Sequence, residues 1–291
     1  MKRQRQWIAI GVLSLLLFFS VGYAWQEGRM LEEGIRIHVV DVGQGDCMVI
    51  ETEEGNVLID TGPNASETSL RGYLRSQGID RFAYMILSHP HDDHIGNADM
   101  ILREFQVDRM ISTESQSKES AWHDVISVWS EMSYEESVEW VKPCEGDIYW
   151  IGRLRIEVLH APAQDNAGEN EDSLILRMDW GDCSVLLTGD AEMETEMHLL
   201  ETIPAERLAV DMLKISHHGS STSSSEVFLS AVRPSVAVIS AQEGNSFGHP
   251  HAEVLARLRA MNCNIYQTNS NGTLIFYCDG KAITYQNAWG F

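Results

Sequence analysis

The run Ser88-His89-Pro90-His91-Asp92-Asp93-His94 constrains this chain more than any other feature. Three imidazoles and two carboxylates fall within six residues, directly after an apolar run, Phe82 to Leu87, that reads as a buried strand. A loop at a strand end can aim several side chains at one point. Neutral imidazole and carboxylate are ligands for zinc, manganese or iron rather than for calcium. The bland alternative is a solvated polar loop, and the rest of the chain decides against it. Three further apolar strands end in polar groups: Leu58-Ile59-Asp60-Thr61-Gly62, Leu186-Leu187-Thr188-Gly189-Asp190, and Leu213-Lys214-Ile215-Ser216-His217-His218-Gly219-Ser220. Each is weak alone. Together, in this order, four strand ends can converge at one rim of a sandwich.

The spacing of apolar residues gives the layers. Strands are expected at Ile35 to Val42, Cys47 to Glu51, Asn56 to Asp60 and Val107 to Ser112, with helices at about Ser66 to Gln77, Ile95 to Glu104 and Glu119 to Met132. Trp122, Ile126 and Trp129 share one side of the last helix and are expected to pack it down. A second strand-rich half starts near Val138: Ile148 to Ile151, Leu154 to His160, Leu174 to Asp179 and Ser184 to Thr188 read as an antiparallel series. Helices at about Glu192 to Glu201, Ser224 to Val232 and His251 to Met261 then alternate with strands Asp211 to Ile215, Val236 to Ser240 and Asn264 to Gln267. Thr273 to Tyr277 and Ala282 to Tyr285 close the chain. Two sheets face to face with helices outside, an α/β protein of αββα four-layer type, fit this order.

Charge and the N-terminus bear on location. The chain of 291 residues has a formal net charge of -22, and Lys2, Arg3, Arg5 and Arg29 hold four of its 21 basic groups, so the remainder is more acidic still. Such a surface repels long polyanions and lacks the basic footprint of a general nucleic-acid binder. Lys2, Arg3 and Arg5 precede 19 uncharged residues, Trp7 to Trp25, just enough to span a bilayer with the rest exported. Gly22-Tyr23-Ala24 is also compatible with cleavage of a signal peptide. Residues 1–30 are therefore expected to be a membrane anchor or signal, and 31–291 the folded domain. Cys47, Cys144, Cys183, Cys263 and Cys278 show no Cys-x-x-Cys and read mostly as small buried hydrophobes.

The order Asp60, His89-x-His91-x-Asp93-His94, Asp190, His217/His218 resembles the metallo-β-lactamase superfamily over about residues 35 to 285. Its form is similar to the hydrolase domain of ComEC-type competence proteins, on Asp41-Val42-Gly43-Gln44-Gly45-Asp46, Leu213-Lys214 before His-His-Gly-Ser, and Asn245-Ser246-Phe247-Gly248-His249-Pro250. The resemblance implies two divalent metal ions, zinc or manganese. His89 and His91 would hold one, Asp93 and His94 the other, with Asp190 bridging. One of His217 and His218 would complete the second site; Gly-His-Gly in relatives favours His218. Asp60 would orient a ligand imidazole. Many relatives carry another His before the Thr-Gly-Asp strand. Here Gly168 to Ser173 has none, which leaves Asn170, or His160 upstream, as candidates for that position.

The chemistry implied is an in-line phosphoryl displacement by a metal-bridging water held by Asp93 and Asp190. Ser220 opens a Ser/Thr run before a helix, which can receive a phosphate or simply cap the helix. His249 is a candidate proton donor to the leaving oxygen. The expected function is an extracytoplasmic phosphodiesterase or nuclease, with DNA or a small nucleotide as substrate. The alternatives are a carbon-ester, lactone or β-lactam hydrolase, and a non-catalytic part of a DNA-uptake or cell-surface machine.

Overall fold

The computed structural model describes residues 34–113, 117–132, 138–162 and 170–286. The expected N-terminal anchor or signal lies outside them. No helix of the described residues is long and apolar enough to cross a membrane.

The first sheet starts with β1 (Ile35–Val39), β2 (Met48–Thr52), β3 (Gly55–Ile59), β4 (Arg81–Leu87), β5 (Gln106–Ser112) and β6 (Glu139–Val141). The second holds β7 (Ile148–Ile151), β8 (Leu154–His160), β9 (Ile175–Trp180), β10 (Cys183–Leu187), β11 (Met212–Lys214), β12 (Val236–Ile239) and β13 (Asn264–Gln267). The closing hairpin, β14 (Leu274–Cys278) and β15 (Ile283–Gln286), returns to the first sheet, where β14 pairs antiparallel with β1 from Ile35–Cys278 to Val39–Leu274. The orders are β15-β14-β1-β2-β3-β4-β5-β6 and β13-β12-β11-β10-β9-β8-β7.

Period-two alternation divides each strand between two cores. In β10, Cys183, Val185 and Leu187 enter the layer between the sheets, where Ile35, Ile37 and Val39 of β1 meet them, while Leu186 faces the outer helices. Leu70, Leu74, Ile101, Val125 and Val128 carry helices onto the outer face of the first sheet. Leu199, Phe228, Leu229, Val254 and Leu258 do the same for the second. The result is the four-layer αββα sandwich. Trp122 and Trp129 both pack edge-on against Trp140 of β6, at 5.8 and 5.1 Å.

The structure corrects one element near the site. The helix expected over Ile95 to Glu104 is two pieces, Asp92–Ile95 and Ala98–Glu104. At Gly96 a Cβ would collide with the Pro63–Asn64 backbone, and the Asn97 amide donates to the carbonyls of Thr61 (2.7 Å) and Pro63 (2.9 Å). Neighbouring backbone therefore sets the break, which no local periodicity encodes.

Pairing is parallel along β3-β4-β5-β6 and along β10-β11-β12-β13. The ends of β3, β4, β10, β11 and β12 meet at one rim, the usual place for a site in such sheets.

Candidate metal centre

Asp60 organises the loop after β4. It adopts a left-handed φ of 56° just past β3, which turns its carboxylate under that loop. It accepts from the Ser88 N–H and hydroxyl, each at 2.7 Å, and from His94 Nδ1 at 2.8 Å. A carboxylate cannot donate, so the proton sits on Nδ1 and the other nitrogen, Nε2, faces inward.

Asp93, His94, Asp190 and His218 bring one ligand atom each to within 4.8 Å of one another. Asp190 follows Gly189, whose φ of 49° suits glycine, and its N–H is held by Ser173 Oγ at 3.0 Å. His218 donates from Nδ1 to the Ser240 carbonyl at 3.0 Å and turns Nε2 to Asp93 (3.2 Å) and Asp190 (3.5 Å). Its neighbour His217 turns to the rim, where Nδ1 meets Glu192 (3.0 Å), Thr222 (3.3 Å) and the Asn170 amide (3.5 Å), with Nε2 at 3.9 Å from Asp190. His89 and His91 lie beside the cluster, with ring nitrogens 3.0 Å apart and the His89 ring 4.2 Å from that of His94.

The electrostatics suit cations. Burial would depress the His94 and His218 pKa values, but the carboxylates win: His94 is held well above its ordinary value and His218 at about 10. Burial and the nearby His94 instead push His89 well down, so it is neutral. His94 Nε2 and Asp190 Oδ1 face each other at 3.2 Å, out of hydrogen-bond alignment, and neither has another hydrogen-bond partner among the described residues. Buried polar atoms without partners are rare, and a cation between them satisfies both. The donor set therefore fits divalent metals.

Asp46 and Lys214 support the cluster, and residue pattern alone did not single them out for a role. Lys214 Nζ lies 2.6 Å from Asp46 Oδ2, and Asp46 Oδ1 is 3.4 Å from His218 Nδ1. The Gly43-Gln44-Gly45-Asp46 turn is the available signal: a Cβ at Gly45 would overlap the Asp93 carbonyl, to which Asp46 N–H donates at 3.0 Å.

The remaining candidates fall at the rim or outside it. His160 does not join the centre; its Nδ1 meets Glu145 at 2.9 Å. Ser220 is buried, with Oγ at 3.0 Å from Thr222 Oγ1. The helix after the serine run is capped: Ser225 Oγ accepts from Phe228 N–H, and the Glu196 carboxylate takes the N–H groups of Ser224 and Ser225. His249 stands 5.5 Å from the His217 ring and 6.3 Å from that of His218. Burial and those two imidazoles lower it to about 4, which leaves it neutral. Phe247, 64% exposed, stacks on it at 5.6 Å and 25°.

A model of the metallo-beta-lactamase superfamily matches residues 40–243. With this fold and this rim of ligands the chain belongs to that superfamily, whose metal-dependent hydrolase architecture it shares. Within the superfamily it is homologous to ComEC-type competence proteins. ComE operon protein 3 of Bacillus subtilis is 32% identical over 267 residues, 86% of this chain and 34% of that protein. Recombination protein 2 of Haemophilus influenzae is 31% identical over 242 residues, 81% and 28%. Competence protein ComA of Neisseria gonorrhoeae is 29% identical over 246 residues, 84% and 32%. The chain thus spans 28–34% of the length of these relatives. Among solved structures, the metallo-beta-lactamase fold protein YhfI of Bacillus subtilis shares the fold with a TM-score of 0.57 at 13% identity, covering 84% of this chain and 100% of that one. Igni18, a metallo hydrolase of Ignicoccus hospitalis, does so at 0.54 and 16%, covering 83% and 98%.

Proposed function

We propose that the chain is a phosphodiesterase of the ComEC type, acting outside the cytoplasm on single-stranded DNA or short nucleotides. The observation that supports it most is the convergence of half-buried Asp93 with buried His94, Asp190 and His218 beneath a rim that carries His217, Asn170, Thr222 and Glu192. Asp93, His94, Asp190 and His218 would hold one divalent ion, and His89 and His91 with Asp190 a second; zinc or manganese there would supply positive charge to offset the negative charge on the phosphoryl oxygens.

The protein's own groups do the rest. Asp60, Ser240 and Asp46 fix the orientation of the two ligand imidazoles, so reorganisation on binding is small. The Asn170 amide and Thr222 hydroxyl, beside His217, donate to the Glu192 carboxylate at 3.2 and 3.0 Å, so a phosphate oxygen would reach them only by displacing Glu192. His249, neutral at pH 7, holds the leaving oxygen through its single N–H rather than delivering a proton as imidazolium. Phe247 offers an exposed ring beside this position, and every base has a face to stack on it. The acidic surface favours short or single-stranded substrates over long duplexes. Location outside the cytoplasm rests on Lys2, Arg3 and Arg5 before the uncharged Trp7 to Trp25.

The test is hydrolysis of a chromogenic phosphodiester and of a short oligonucleotide by the full chain with added manganese or zinc. Asp190→Ala should abolish turnover of both. Turnover of a lactone or β-lactam in place of the diesters, or wild-type rates in Asp190→Ala, would sink the assignment.

A further inference from the structure

Away from the rim, three side chains from three parts of the second half meet on one point. Glu145 lies between β6 and β7, His160 ends β8, and His198 sits in the Met193–Thr202 helix. One carboxylate oxygen, Glu145 Oε1, faces both imidazoles: His160 Nδ1 at 2.9 Å and His198 Nε2 at 3.8 Å. The two rings stand edge to face at 5.3 Å. One ligand atom from each of the three residues falls within 4.8 Å of the others. In a tetrahedral zinc site with bonds of 2.0–2.1 Å, neighbouring ligand atoms are about 3.3 Å apart. The observed separations straddle that value.

Each arm is fixed by its own backbone. Around Glu145, Cys144 N–H donates to Asp147 Oδ2 (2.8 Å), and Gly146 and Asp147 pair with both sides of Val158 (2.8 and 2.9 Å). At His160 a register irregularity after Val158 re-aims the strand end, as bulges do. The helix carrying His198 is held at its start by Glu171, whose carboxylate accepts from the N–H groups of Glu192 and Thr195 and from the Thr195 hydroxyl. Two imidazoles on one carboxylate oxygen, each on a fixed element, make a better cation cradle than a chance ion pair.

We propose that Glu145, His160 and His198 form a further site for a transition-metal dication of the zinc class, separate from the catalytic cluster. It shares no residue with Asp93, His94, Asp190 and His218. The donor set, two nitrogens and one carboxylate oxygen, selects zinc, cobalt or nickel over magnesium and calcium. Three protein ligands leave a fourth position for water. A cation here ties the β6–β7 loop and β8 to the helix, which makes the site a clip rather than a second reaction centre.

The test counts metal. The full-length protein, stripped of metal, is dialysed to equilibrium against micromolar zinc chloride, alongside His198→Ala and Glu145→Gln. Both positions are substantially exposed, with side chains 44% and 48% accessible, so both variants fold. Each should bind one equivalent less zinc than wild type and lose part of the zinc-induced rise in melting temperature, with hydrolytic turnover unchanged. Magnesium should give no difference. Equal zinc counts in wild type and both variants overturn the proposal. A lower count accompanied by lost turnover overturns it as well, because the cluster would then belong to the catalytic centre.

Discussion

Replacing Lys214 by Met tests whether the buried Asp46–Lys214 pair holds the metal centre in place. The two side chains are 5% and 9% exposed, with charged atoms 2.6 Å apart, so water screens neither. Met keeps the volume of the lysine stem and removes only the charge. Breaking a buried pair typically costs about 3–5 kcal/mol, because the surviving charge is left desolvated. His218 Nδ1, 3.4 Å from Asp46, compensates in part, which places the loss near the lower end, about 3 kcal/mol. For a domain of this size that lowers Tm by about 6–12 °C. Burial alone would raise the Asp46 carboxyl, but Lys214 and His218 hold it well below its ordinary range. A carboxyl depressed on folding contributes stability that is complete above about pH 4 and lost on acidification through its folded value. The gap between Lys214→Met and wild type should therefore close as the pH falls, since protonated Asp46 needs no cation. Thermal unfolding of metal-free protein followed by circular dichroism measures both. Asp46→Asn combined with Lys214→Met should recover about half of the loss, a coupling of at least about 1.5 kcal/mol in the double-mutant cycle. A Tm within a degree of wild type for Lys214→Met, or strictly additive variants, would refute the reasoning.

Three further outcomes follow from the site. Asp60→Asn places an amide beside Ser88 and His94 Nδ1, disturbs the tautomer, and should weaken metal affinity about 10–100-fold in chelator competition; unchanged affinity would remove Asp60 from its orienting role. Because the carboxylates raise His94 and His218, both imidazoles are protonated at pH 7 before metal arrives, so binding should release protons and tighten about tenfold per pH unit for each proton displaced. Calorimetry in buffers of different ionisation enthalpy reads this directly, and heats independent of buffer would contradict it. Phe247→Ala should raise KM for a dinucleotide about tenfold, the worth of one stacked base, and leave KM for an aliphatic phosphodiester unaltered; equal effects on both would remove the stacking role.

The acidity of the domain has a counterpart in the centre itself. Asp46, Asp60, Asp93 and Asp190 are packed around two imidazoles and one ammonium. Such a cavity is costly to assemble unless cations neutralise it, so metal binding and folding stability are coupled here. On the proposed function, a polyanionic substrate would meet the positive charge of bound metal at the centre, which would favour cleavage of chains that can thread to it over retention of long polymers on the surface.

The sequence alone determined the layers and the ligand types. Period-two strands and amphipathic helices are written in neighbouring residues, so the αββα order is legible from β1 to β13. The polar groups at the strand ends are legible as a set, because four buried strands that end in Asp, His or Thr-Gly-Asp in this order have few bland explanations, although each end alone could be a turn. Tertiary structure decided what depends on distances across the molecule. His217 and His218 are adjacent in sequence, with left-handed φ values of 48° and 54°, and only packing shows which turns its Nε2 to Asp93. The partnership of Asp46 with Lys214 joins a turn after β1 to the end of β11, and no local pattern links them. His160 looked available to the centre along the chain, but the strand irregularity aims it at Glu145 and His198. The closing hairpin carries no local mark that it pairs with β1 rather than extending the second sheet. Backbone periodicity is a short-range property and survives in the sequence; the meeting of charges is a long-range one and exists only once the two sheets have packed.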